Sequence, residues 1–196
     1  MMLTIELEDL TKEQLQLLMH FGTSITFGEM PRNNVKLSHI TLTEALSTGK
    51  PLYGINTGFG KLANQVIEKD ALSLLQRNLV LSHSTGVGIY LKASTARLIF
   101  AMKLLSLSKG YSGISQTLLD YMTRMYNQGI TPLIPEKGSV GASGDLVPLA
   151  HLAMSVIGEG KVLYEKKMVP AIEALEKINL TPYILGPKEG LALLNG

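Results

Sequence analysis

The sequence predicts a mainly α fold with short β elements, on three observations. After residue 70, long segments repeat apolar residues three and four apart. Glycine or a Lys-Gly pair closes each of those segments. Strict polar–apolar alternation is confined to short stretches. With 196 residues, 45% of them hydrophobic and 17% charged, the chain is long enough to bury a real core as one large or two small domains. The spacing divides it into a mixed segment of about 1–70 and a helical segment of about 71–196.

Taken in order, Thr4 to Leu7 reads as a strand, and Thr11 caps a helix through Leu15, Leu17, Leu18 and Met19 that ends at Gly22. Residues 23–40 read as mixed, with a turn at Pro31-Arg32-Asn33-Asn34, and Thr43 to Leu46 as one helical turn. Gly54-Ile55-Asn56-Thr57-Gly58-Phe59-Gly60 is too glycine-rich for a regular element, so it is either a connector or a backbone shaped around something. Helices follow from Asp70 to a stop at Gly86, over Ser94 to Ser108, and over Ser115 to Gln128 with Gly129 as the stop. Residues 131–144 read as loop. The next helix, Leu146 to Ile157, is apolar all round, which predicts burial and an N-terminal end, at Gly144-Asp145, that points into the interior. A hairpin around Glu165-Lys166, a short helix over Ala171 to Ile178 and a helix opening at Pro187 complete the chain.

Composition excludes several classes of function. A net charge of +2, evenly spread, does not make a nucleic-acid surface. The absence of cysteine excludes disulfides and thiolate metal sites and suits a reducing cytosol. Acidic residues near the N-terminus are unlike a signal peptide, and the apolar stretch from Ala96 to Leu107 is short and broken by Arg97 and Lys103. The expectation is a soluble cytoplasmic protein with no membrane contact. His20, His39 and His151 lack partners at ligand spacing, so no metal is expected, and His151 is expected to bond within its own helix. The last residues, Leu191 to Gly196, stop inside an apolar run, which reads as a truncation.

Chemistry concentrates in Gly138-Ser139-Val140-Gly141-Ala142-Ser143-Gly144-Asp145. A phosphate loop would need Gly-Lys-Ser/Thr, whereas Asp145 here would repel an anion. A serine elbow would need Gly-x-Ser-x-Gly, which Ser143-Gly144-Asp145 does not supply. A helix cap by Ser143 or Asp145 remains open on spacing alone.

Gly138 to Leu152, GSVGASGDLVPLAHL, resembles the signature of the aromatic amino acid ammonia-lyases, the histidine ammonia-lyases in particular. Tyr53 to Gly60, Gln76 to Gly86 and Glu189 to Gly196 resemble further segments of that family, so the likeness spans nearly everything from about residue 50. Departures are slight, at Ile55 and Val147, except in length: family members run to more than twice this size. The resemblance implies the N-terminal part of the ammonia-lyase fold, cut before the long central helical bundle.

It also implies a cofactor, 4-methylidene-imidazol-5-one (MIO), formed when Ala142-Ser143-Gly144 cyclises with loss of two waters. No nucleotide is implied. Ala142 and Gly144 are small enough for the close backbone approach, and Ser143 carries the hydroxyl that leaves. By the same resemblance, Tyr53 is the base for a substrate β-proton, a task for which a phenol needs nearby donors or positive potential. His83 contacts the substrate ring and favours a polar one, imidazole first and phenol second. Asn195 contacts the ring system and the substrate. The residues alone also allow blander roles: a tyrosine beside a turn, a helix-terminal histidine, and an asparagine ending a helix. The implied activity is conversion of L-histidine to trans-urocanate and ammonia by a homotetramer, with 1–196 inactive alone. Alternatives are a tyrosine ammonia-lyase or aminomutase, or an inert domain that keeps the fold.

Overall fold

The computed structural model describes residues 1–58, 67–68, 71–141 and 144–196. The chain opens with β1 (Met2–Ile5), α1 (Lys12–Leu18) and β2 (Ser24–Phe27), and the strands pair in parallel, Leu3 against Ile25 and Ile5 against Phe27. Parallel strands need a crossover, and α1 provides it. Thr11 starts α1 with a reciprocal capping box: its hydroxyl accepts from Gln14 N, and its own N–H donates to Gln14 Oε1. β1 lies slightly earlier than Thr4 to Leu7, because Leu3 and Ile5 are the residues that face the core.

Residues 29–47 depart most from the expected pattern. They form one helix, α2 (Glu29–Ser47), in place of a turn and a single helical turn. Pro31 stands in its first turn, where a backbone N–H has no helical partner to lose. Val35 and Leu42 then bury one side of it.

α3 (Leu72–His83) stops short of Gly86, and β3 (Val87–Tyr90) follows. Next come α4 (Ala93–Ser108) and α5 (Gln116–Asn127), ended by Gly110 at φ 82° and Gly129 at φ 81°, conformations in which a Cβ is disfavoured. Residues 131–144, expected as loop, contain β4 (Thr131–Pro132) and β5 (Pro135–Lys137). These two strands are too short to leave a periodic signal, and their partners define them. β5 pairs antiparallel with β3, and β4 joins β6 (Lys161–Tyr164) and β7 (Lys167–Pro170) in an antiparallel sheet. Glu165 and Lys166 turn the hairpin with φ 48° and 62°, as a two-residue turn requires. α6 (Leu146–Val156), α7 (Ala171–Lys177) and α8 (Glu189–Leu194) complete the described elements.

One apolar cluster runs from Leu3 through Phe100, Leu104 and Leu152 to Leu194. α4 lies at its centre, packed against α1, α2, α5 and β4, while α3, α6 and α8 pack on one another. Arg97 is fully buried in α4 and donates to the carbonyls of His20, Thr23 and Tyr126, with its guanidinium 3.8 Å from the Tyr126 ring centroid. It thereby ties the α1–β2 connection to the C-terminal end of α5. Among the described residues no helix is long and apolar enough to cross a membrane.

Candidate active site

The site begins at the N-terminal end of α6. Leu149, Ala150, Leu152, Ala153 and Val156 are buried, as an all-apolar helix demands. The end itself is not interior: Leu146 to Pro148 are half-buried and Asp145 is exposed. The segments touching this end, among them Gly138 and Asn195-Gly196, cover only part of it. Asp145 occupies the cap position in a left-handed conformation and makes no side-chain cap bond. Ala142 and Ser143, the first two residues of the expected ring, lie outside the described residues.

Gly144 is described, and its surroundings are specific. Its φ is 93°, and a Cβ there would lie 2.9 Å from Asn195 Oδ1 and 3.4 Å from Leu146 Cδ2. The positive φ favours glycine, and a Cβ would press on the tip of the Asn195 side chain. Gly196 N donates to Gly144 O at 2.8 Å. Asn195 is extended as it leaves α8, and its carbonyl accepts from Lys103 Nζ. The fold thus joins two of the residues singled out from sequence, Gly144 and Asn195, which are 51 positions apart.

His83 ends α3, which packs on both α6 and α8. Its Nδ1 lies 2.9 Å from Leu79 O and 3.1 Å from Ser82 Oγ. A carbonyl only accepts, so Nδ1 carries the hydrogen, and in the neutral ring Nε2 is left as an acceptor. His151 does not bond within its own helix as expected: Nε2 accepts from Gly86 N at 3.0 Å, linking α6 to the turn after α3. Burial lowers the His151 pKa. A Cβ on Gly86 would lie 2.9 Å from that nitrogen, so the approach depends on glycine.

Tyr53 lies on the glycine-rich turn, with 62% of its surface exposed. Buried Asn56 and Thr57 shape that turn. Asn56 accepts from Leu52 N at 2.6 Å and donates to Lys50 O, while Thr57 Oγ1 accepts from Gly54 N. Phe59 and Gly60 lie outside the described residues. Among the described residues no cluster of three or more His, Cys, Asp or Glu is arranged to hold a metal.

The family model for aromatic amino acid lyases matches residues 10–196. The chain belongs to the aromatic amino acid lyase family. Over 187 residues it is 46% identical to a histidine ammonia-lyase of Pseudoalteromonas atlantica, covering 95% of this chain and 37% of that protein. Histidine ammonia-lyase from Trypanosoma cruzi superposes with a TM-score of 0.92 at 34% identity, over 100% of this chain and 38% of that one. Tyrosine aminomutase from Streptomyces globisporus does so with 0.91 at 34% identity, over 100% and 37%. The chain therefore has the fold of the N-terminal part of these lyases and spans little more than a third of their length.

Within this family member, two buried charges besides Arg97 escaped the sequence reading. Lys103 registered only as a break in an apolar stretch, yet it is 4% exposed and reaches Asn195. Glu189 is 3% exposed at the start of α8 and accepts from Ser115 N, Ser115 Oγ and Gly186 N. It fastens α8 to the start of α5, and burial raises the pKa of neighbouring Tyr183 to about 12. Their only signal in the sequence is a charged residue at a position whose helical neighbours are apolar.

Proposed function

We propose that this chain is the N-terminal portion of a cytoplasmic histidine ammonia-lyase that converts L-histidine to trans-urocanate and ammonia. The observation that carries the proposal is the clamp on Gly144, whose carbonyl accepts from Gly196 N and whose positive φ, beside the Asn195 side chain, favours glycine. It supports a tripeptide, Ala142-Ser143-Gly144, that closes into MIO. The high identity to a histidine ammonia-lyase supports histidine as the substrate.

When formed, MIO supplies an electrophile that turns the substrate amine into a better leaving group. The chain's own residues do the rest. Tyr53 accepts a proton from the substrate Cβ, and the freed electron pair forms the Cα–Cβ double bond as the Cα–N bond breaks. Asn195, packed on Gly144, orients the substrate beside the tripeptide. His83 presents Nε2 as an acceptor to a ring N–H of the substrate. In the full-length homotetramer, the remainder of the chain and neighbouring subunits close this open face, and 1–196 alone is inactive.

One geometric point favours a second reading. An acceptor at Nε2 meets a phenol O–H as readily as an imidazole N–H, so a tyrosine ammonia-lyase or aminomutase is the alternative. Supplying the full-length protein with L-histidine and L-tyrosine in turn separates the two. Urocanate, followed by its ultraviolet absorbance, is the expected product. Turnover of tyrosine alone favours the second reading, and turnover of neither favours an inert domain that keeps the fold.

A further inference from the structure

Lys103 has no packing reason to be a lysine. It lies mid-helix in α4, 4% exposed, among Phe100, Leu104 and Leu107, all fully buried. None of the ion pairs among the described residues includes it. Burying an ammonium without a counter-charge is costly, and an apolar side chain of similar volume would serve stability better. Desolvation accordingly lowers its pKa to about 8. What Lys103 does gain is the Asn195 carbonyl, which it reaches across the core.

That contact leads directly to the tripeptide. Lys103 Nζ fixes the Asn195 carbonyl, the next residue's N–H holds Gly144 O at 2.8 Å, and the Asn195 side chain lies against Gly144 Cα. We propose that Lys103 is a positioning residue for closure of the Ala142-Ser143-Gly144 ring, acting through Asn195 and Gly196. This rests on the reading that the tripeptide cyclises. In closure, Gly144 N bonds to the Ala142 carbonyl carbon and its proton moves to that oxygen. The oxygen leaves as water with the Ser143 amide hydrogen, and the Ser143 hydroxyl leaves as a second water with the α-hydrogen. Every atom comes from the tripeptide, so what the surroundings supply is geometry. A misplacement of about 1 Å costs such a reaction roughly a hundredfold. Anchoring the Gly144 carbonyl sets the position of the attacking nitrogen at the other end of the same residue.

The test is the intact mass of the full-length protein and its Lys103→Met, Lys103→Arg and Gly196→Pro variants, each with a circular-dichroism melt. Gly196→Pro replaces the N–H that holds Gly144 O with a ring carbon, which removes the bond and displaces that carbonyl, while the extended conformation of Asn195 suits a following proline. The wild type should be lighter than its encoded mass by two waters. Folded Lys103→Met and Gly196→Pro should form the ring roughly tenfold more slowly or worse, while Lys103→Arg, which keeps a charged donor, should form most of it. If Lys103→Met does not fold, Gly196→Pro carries the test from the other end of the contact. Complete ring formation in a folded Lys103→Met or Gly196→Pro variant overturns the proposal, as does an arginine variant no better than methionine. A wild type at its encoded mass instead overturns the cyclisation reading beneath it.

Discussion

Lys103→Met should change how stability depends on pH, and the direction follows from burial. The Lys103 pKa falls from 10.5 to about 8 on folding because its ammonium loses water. Below both values the group is charged in the folded and unfolded states alike, and the folded state bears the full desolvation cost. Between them the unfolded chain binds more protons, so stability rises with pH. The contribution is therefore present above the unfolded value and lost as pH falls through the folded one. At about 1.4 kcal/mol per pKa unit, the wild type should gain about 2 kcal/mol relative to Lys103→Met between about pH 7.5 and about pH 10. Losing the bond to the Asn195 carbonyl also affects the variant, but that penalty is independent of pH and drops out of the comparison. Urea unfolding of both proteins across this range is the assay. Parallel stability curves would refute the assignment of a charged, desolvated Lys103.

The other perturbations test separate parts of the site. In the full-length protein, His83→Leu should reduce kcat/KM for histidine strongly, by up to about 10⁴-fold, and cost about 1 kcal/mol of stability through the lost Nδ1 bond to Leu79 O; an unchanged kcat/KM would leave His83 as a helix-terminal residue only. Glu189→Leu strands the Ser115 and Gly186 backbone N–H groups that its carboxylate satisfies and should lower unfolding free energy by about 3 kcal/mol or more, measured by urea titration. Residues 1–196 alone should yield no detectable urocanate from L-histidine, and absorbance growing at an appreciable rate would contradict that.

Elements set by neighbouring residues were legible in the sequence. The Thr11 cap, the glycine stops at 110 and 129 and the Glu165-Lys166 turn each act within a few positions, and each forms as expected. Where the outcome depends on position within a longer element or on distant partners, local reading failed. Pro31 followed by Arg32, Asn33 and Asn34 looks like a turn unless it is known to lie in the first turn of α2. β4 and β5 exist only through strands far along the chain. The same holds in the site. Tyr53, His83, Asn195 and the Ala142-Ser143-Gly144 tripeptide were named through family resemblance, because no spacing rule joins residues so far apart. Lys103 and Glu189 went unrecognised because their partners, Asn195 and Ser115, lie 92 and 74 positions away.

The central claim is that Ala142, Ser143 and Gly144 form the electrophile. Intact-mass measurement of the full-length wild type beside Ser143→Ala tests it most directly. The wild type should be lighter than its encoded mass by two waters, and Ser143→Ala, which has no hydroxyl to eliminate, should lack that double loss and show no turnover. A wild type at its encoded mass that still deaminates histidine, or a Ser143→Ala variant of near-normal activity, would contradict the account.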